Sequence, residues 1–238
     1  MNALRTTVAA VAFATAGVFA AGAANADSLI DLTDDIWGAP GTTSGVPVTV
    51  GGVTLTAVPA PLVFQKFDAP VKPPVTSTFP LEFSLDGIGV VDDEVSLTTP
   101  TVQLLTVKLP STLTVKGLAF LDLFFDGDLT DNVGDGGAET IRAEFRIGGA
   151  ATGNFYDAVA AQPNPPANSD GGYFEVSGLN FAADEIWFYM APNTGRDDAI
   201  ADAAVAGITV VPLPAAVWLF GSALMGIAGL GYRRNRKV

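Results

Sequence analysis

Ile141-Arg142-Ala143-Glu144-Phe145-Arg146-Ile147 alternates apolar and charged residues over seven positions. Successive side chains of an extended chain point to opposite faces, so this period commits the segment to a strand with one buried and one wet face. It is incompatible with a helix that buries one stripe. Leu81-Glu82-Phe83-Ser84-Leu85-Asp86 repeats the alternation. Residues 46–50 and 53–57 flank Gly51-Gly52, a pair suited to the positive φ angles of a two-residue hairpin turn, and Pro47 assigns the first of these strands to a sheet edge. Further strands are expected at 104–109, 113–125, 173–176, 185–190 and 207–211, with Pro-rich loops at 59–80 and 162–167. No long amphipathic helical period interrupts them. The expected fold is all-β: an antiparallel β-sandwich, jelly-roll-like, over residues 27–210.

Charge and two absent residue types narrow the chemistry. The 238 residues include 12 Lys+Arg, 25 Asp+Glu, no His and no Cys, a net charge of −13. Without His or Cys there is no Ser-His-Asp or Cys-His catalysis, no His- or Cys-ligated zinc, no thiolate cluster and no disulfide. All 25 acidic residues but only seven basic ones fall within 27–211, so that body carries 7 − 25 = −18. Such a surface repels phosphate backbones, which excludes nucleic acid as an expected partner, and it attracts divalent cations. No cofactor is required; calcium is the candidate.

Both ends read as addresses. Residues 1–26 have the form of a secretory signal peptide: Arg5, an uncharged apolar run, and Ala24-Asn25-Ala26 as an A-x-A cleavage site before Asp27. Residues 215–232 are 18 positions without a charge. As a helix they would span roughly 27 Å, close to the roughly 30 Å thickness of a hydrocarbon core and within the length range of membrane-spanning helices. Arg233, Arg234, Arg236 and Lys237 follow as a basic stop that holds this end in the cytoplasm.

Val211-Pro212-Leu213-Pro214-Ala215, the apolar span and the basic tail 233–238 together resemble the PEP-CTERM class of sorting signals, in its VPLPA-CTERM variant. Leu213 stands where the parent motif carries Glu. The resemblance covers residues 211–238 alone. It implies processing by signal peptidase and an exosortase at the inner membrane of a Gram-negative bacterium that makes extracellular polysaccharide. The implied destination is the cell envelope, cell surface or extracellular matrix, with the tail membrane-spanning in the precursor.

Three features of the body offer chemistry. Asp126, Asp128, Asp131 and Asp135 lie in a Gly-containing run, the material of a calcium loop or of a solvated acidic turn; the EF-hand spacing fails, because Asp131 takes the turn glycine's place and Gly137 that of the closing Glu. Asp92-Asp93-Glu94 and Asp197-Asp198 form a second acidic pair of segments. In Ile186-Trp187-Phe188-Tyr189-Met190, Trp187 and Tyr189 share one strand face. They form an outward platform for sugar rings if Ile186, Phe188 and Met190 are core, or pack within a central strand covered on both faces. Glu185, beside this run, comes nearest to a carboxylate in apolar surroundings. The expected function is a non-enzymatic structural or adhesive protein of a polysaccharide-rich biofilm. The alternative is a carbohydrate-binding module with a structural calcium ion, and a third reading is a carboxylate-dependent glycosidase.

Overall fold

Eight strands hydrogen-bond into the main sheet of the computed structural model, which describes residues 27–69, 71–73, 79–91, 94–98, 101–125, 139–160, 162–163, 172–191 and 203–212. In chain order the strands are β1 Ser28–Asp31, β2 Thr42–Ser44, β3 Val48–Val50, β4 Val53–Val58, β5 Leu62–Phe64, β6 Gly89–Val90, β7 Leu97–Thr98 and β8 Thr101–Val102. They continue with β9 Leu104–Leu121, β10 Phe124–Phe125, β11 Thr140–Ile147, β12 Ala150–Val159, β13 Gln162–Pro163, β14 Phe174–Met190 and β15 Ala204–Pro212. The main sheet runs β1-β15-β9-β14-β11-β12, with the β3–β4 hairpin also joined to β9. A second sheet, β2-β5-β6, faces it, and β7–β8 and the parallel pair β10–β13 are small additions.

The all-β, antiparallel expectation holds. The Gly51-Gly52 hairpin forms as read: Val50 pairs with Val53, both glycines have positive φ, and β3 is an edge strand that follows Pro47 directly. Residues 140–147 form β11, with buried and partly buried positions alternating as expected from Thr140 to Arg146, while the last apolar residue, Ile147, is exposed beside the turn. Elsewhere the strands are longer than expected. Segment 104–109 merges with most of 113–125 into β9, which ends at Leu121 while Phe124–Phe125 form β10, and 173–176 and 185–190 merge into β14 from Phe174 on. Register shifts between Ala183 and Glu185 and between Ser177 and Phe181 keep the apolar residues of these long strands on one face. The supposed 59–80 loop contains β5.

Residues 81–86 do not form a ladder strand. Their backbone bends at Phe83, whose φ is 52°, and makes only a bridge from Leu85 to Lys66, because their amides are taken elsewhere. Glu82 N–H donates to Asp31 Oδ2 at 2.8 Å and Phe83 N–H to Thr33 Oγ1 at 2.9 Å, while Ser84 and Leu85 donate to the Thr33 carbonyl. The alternation survives as packing: Leu81, Phe83 and Leu85 are buried.

The main core lies between the main sheet's inner face and the second sheet. Leu55, Val107, Ile186 and Phe145 form one cross-strand row of it, and Ala57, Leu105, Phe188 and Ala143 the next. Leu62, Phe64, Ile88 and Val90 cover these rows from the opposite layer. A smaller cluster lies on the other face of the main sheet, where Phe79, Leu81 and Phe83 pack against Ala119, Leu121, Ala204 and Ala206. That strip covers one end of the outer face, and among the described residues no such strip covers the other end.

Candidate functional site

The open end of the outer face is a grid set by strand register. One row across the strands reads Thr54, Lys108, Glu185, Arg146 from β4 to β11. The next reads Thr56, Thr106, Trp187, Glu144, Phe155 from β4 to β12. A third holds Tyr189, Arg142 and Asp157. These side chains face out because their neighbours along each strand, Ile186, Phe188, Met190, Ala143 and Phe145, are fully or almost fully buried. Of the two sequence readings of Trp187 and Tyr189, the outward one describes their placement: both are partly buried on this face, over a strand whose other face is core.

Neither aromatic is loose. The Arg146 guanidinium carbon lies 3.7 Å from the centre of the Trp187 ring, so one face of the indole is already covered by a cation. The indole N–H donates to Glu185. Arg146 donates in turn to Glu144 and, at 2.6 Å, to the Gly149 carbonyl, and its buried Nε stands 3.9 Å from Glu185 Oε1 with no hydrogen-bond partner. Tyr189 Oη donates to Glu144 Oε2 at 3.1 Å. Burial, and then this bond, push its phenol pKa upward, so the hydroxyl is a donor at neutral pH.

A second guanidinium–ring stack stands two strands away. Arg142 lies 4.2 Å from the centre of the Phe155 ring and donates twice to Asp157, each bond 2.7 Å. Those bonds raise the Arg142 pKa against the opposing effect of desolvation, fixing the charge and the plane of the fork. Phe155 is 51% exposed. The face thus presents Lys108, Arg142 and Arg146 against Glu144, Asp157 and Glu185, three charges of each sign. It is neutral within a body of −18.

Phe155 and Asp157 were not among the expected site residues because β12 was not anticipated, and Arg142 and Arg146, on the anticipated β11, were not because the alternation does not specify which aromatic rings they meet. The signal for β12 was present: Gly148-Gly149 follows the apolar end of β11 as Gly51-Gly52 follows β3, and both glycines have positive φ. Of the other expected positions, Asp27 precedes β1, and Val211 and Pro212 end β15. Ala24, Ala26, Leu213, Pro214, Ala215, Arg233, Arg234, Arg236 and Lys237 lie outside the described residues, as do Asp126, Asp128, Asp131, Asp135, Asp92, Asp93, Asp197 and Asp198. Among the described residues no group of three or more acidic side chains is placed to hold a metal ion, and no helix is long and apolar enough to cross a membrane.

No family model matches the chain, and no curated protein matches it. Among solved structures it is similar to CpGH89CBM32-5 from Clostridium perfringens, determined in complex with GalNAc-β-1,3-galactose. The TM-score is 0.29 at 13% identity, over 67% of this chain and 95% of that one. It is also similar to CBM32-3 from a family 31 glycoside hydrolase of the same organism, with TM-score 0.24 at 17% identity, over 47% of this chain and 67% of that one. At these TM-scores neither likeness bears on what this chain binds.

Proposed function

We propose that this chain is an exported surface or matrix protein whose β domain is a non-catalytic binding module for neutral polysaccharide. One observation carries the reading: the open outer face sets Trp187, Tyr189 and Phe155 among charged side chains of balanced sign, all held in place by one another. Pyranose rings offer an apolar face to an aromatic ring and hydroxyls to carboxylates and guanidinium groups. A neutral, hydrogen-bonding ligand suits a face without net charge, whereas a polyanion is repelled by the body around it. The carboxylates are engaged by Arg, Trp and Tyr donors, which suits holding a ligand rather than exchanging protons with it.

Delivery rests on the two ends of the sequence. In this reading signal peptidase cuts before Asp27, and an exosortase acts on Val211–Ala215 at the inner membrane. Asp126, Asp128, Asp131 and Asp135 are the residues offered to a structural calcium ion. A calcium-dependent rise in melting temperature that Asp128→Asn abolishes is the test of that ion.

The binding claim is tested on a panel of neutral glycans with the wild-type protein and Trp187→Ala. Binding that disappears in the variant, with the melting temperature little changed, supports it. A folded protein that retains no glycan returns the domain to the structural or adhesive reading. Intact mass of the protein recovered from its host tests sorting separately: a chain that begins at Asp27 and lacks Arg233–Lys237 supports processing at both ends.

A further inference from the structure

We infer that the ligand lies across the strands, as an internal stretch of a linear neutral polysaccharide, with Phe155 as a second stacking position beside Trp187. This inference rests on the glycan reading and specifies its geometry. Phe155 and Trp187 belong to one row, Phe155–Glu144–Trp187–Thr106–Thr56, that crosses five strands. Neighbouring strands lie about 4.8 Å apart, so the row is roughly 19 Å long and its two rings stand on strands roughly 10 Å apart. That separation exceeds one pyranose ring, and a single sugar cannot lie on both.

The direction follows from what closes the alternative. Along β14 the outward positions on either side of Trp187 are Glu185 and Tyr189. Beyond Glu185 the register shifts, and beyond Tyr189 the strand gives way to the buried Ala191. Further along β9 the outer face is already covered, since Phe79 and Leu81 pack on Ala119 and Leu121 there. Across the strands, among the described residues, no second apolar cluster of that kind intervenes. The row passes over Thr106 and Thr56, both partly exposed, and its other end is the exposed Phe155 on β12, an edge strand of the sheet.

The two rings are built alike. Each has a guanidinium against one face, 3.7 Å from its centre at Trp187 and 4.2 Å at Phe155, and each guanidinium is tied to carboxylates. A ring braced on one side by a fixed cation presents its other side without the entropy loss of immobilising a free side chain. Glu144 lies between the two rings in the row, and it receives both Arg146 and Tyr189.

The test is isothermal titration of the full protein with neutral β-linked gluco- and galacto-oligosaccharides, from monosaccharide to hexasaccharide. Affinity is expected to rise about tenfold once the chain is long enough to reach both rings, the effect of one further aromatic contact. Phe155→Ala is expected to remove that gain, so that affinity no longer rises with oligosaccharide length, while Phe155→Tyr restores it. Phe155 is exposed on an edge strand, so its truncation leaves the core intact. Affinity independent of length, yet lost in Trp187→Ala, would overturn the crossing geometry and leave glycan binding standing. A protein that binds none of the oligosaccharides, nor insoluble neutral polysaccharide, overturns both.

Discussion

Gly117 shows how closely the covering strip is fitted to the sheet. A Cβ there would stand 2.7 Å from the Val176 carbonyl oxygen and 3.0 Å from Phe79 Cζ. Gly117→Ala is therefore expected to destabilise the domain by about 1–3 kcal/mol, the usual penalty of overpacking. Gly45, which has open space and no unusual φ, is the control: Gly45→Ala should leave the denaturant midpoint nearly unmoved. Tyr173 reports on the same strip. It packs edge-on against Phe83 and donates to Glu175 at 2.7 Å, and burial, then that bond, raise its pKa above 10.0. Above about pH 10 the unfolded chain releases the phenol proton while the folded chain keeps it, so stability must fall as pH rises past that point. The urea midpoint should be insensitive to this group below pH 10 and decline above it, less steeply in Tyr173→Phe. Tyr156 and Tyr189, also raised, contribute in the same direction.

At the scale of the element, the turns decide which strands exist. Gly148 and Gly149, with φ of 59° and 79°, join Ile147 to Ala150 in the two-residue geometry that demands positive φ at both positions. Asn tolerates that geometry and a β-branched residue does not. Gly148→Asn should leave stability nearly unchanged, and Gly148→Val should cost about 1–2 kcal/mol in thermal or chemical unfolding. These turns also explain what could be read beforehand. β3, β4 and β11 were legible because local alternation and local turn chemistry agree there. β12 was not, since Gly153 and Asn154 break its period and its partner residues are polar on one side. The union of two short strands into β9, and of two into β14, was hidden for another reason: a register shift restores facing by an extra residue, and only the neighbouring strand reveals where that residue is absorbed. Trp187 and Tyr189 were legible as sharing one strand face, with the outward and the covered placement both open. Their guanidinium braces were not, because Arg142 and Arg146 reach them from another strand whose register no local pattern specifies.

For the whole molecule, the main sheet depends on a strand that comes last. β15 lies between β1 and β9, and all seven residues from Ala204 to Val210 are buried. A chain ended at Ala203 should lose cooperative unfolding and near-ultraviolet circular dichroism, whereas one ended at Pro212 should keep both. The partner on β15's other side is β1, paired Ser28 with Val210 through Asp31 with Gly207. Synthesis therefore delivers first a strand whose neighbour is delivered last. Until that neighbour arrives, the leading segment has no ladder to join, and bringing it home closes a loop nearly as long as the domain. The entropy of so long a closure rises only slowly with length, but the search for it is slow. Folding of this domain is expected to finish after the chain does, rather than to advance step by step behind its synthesis.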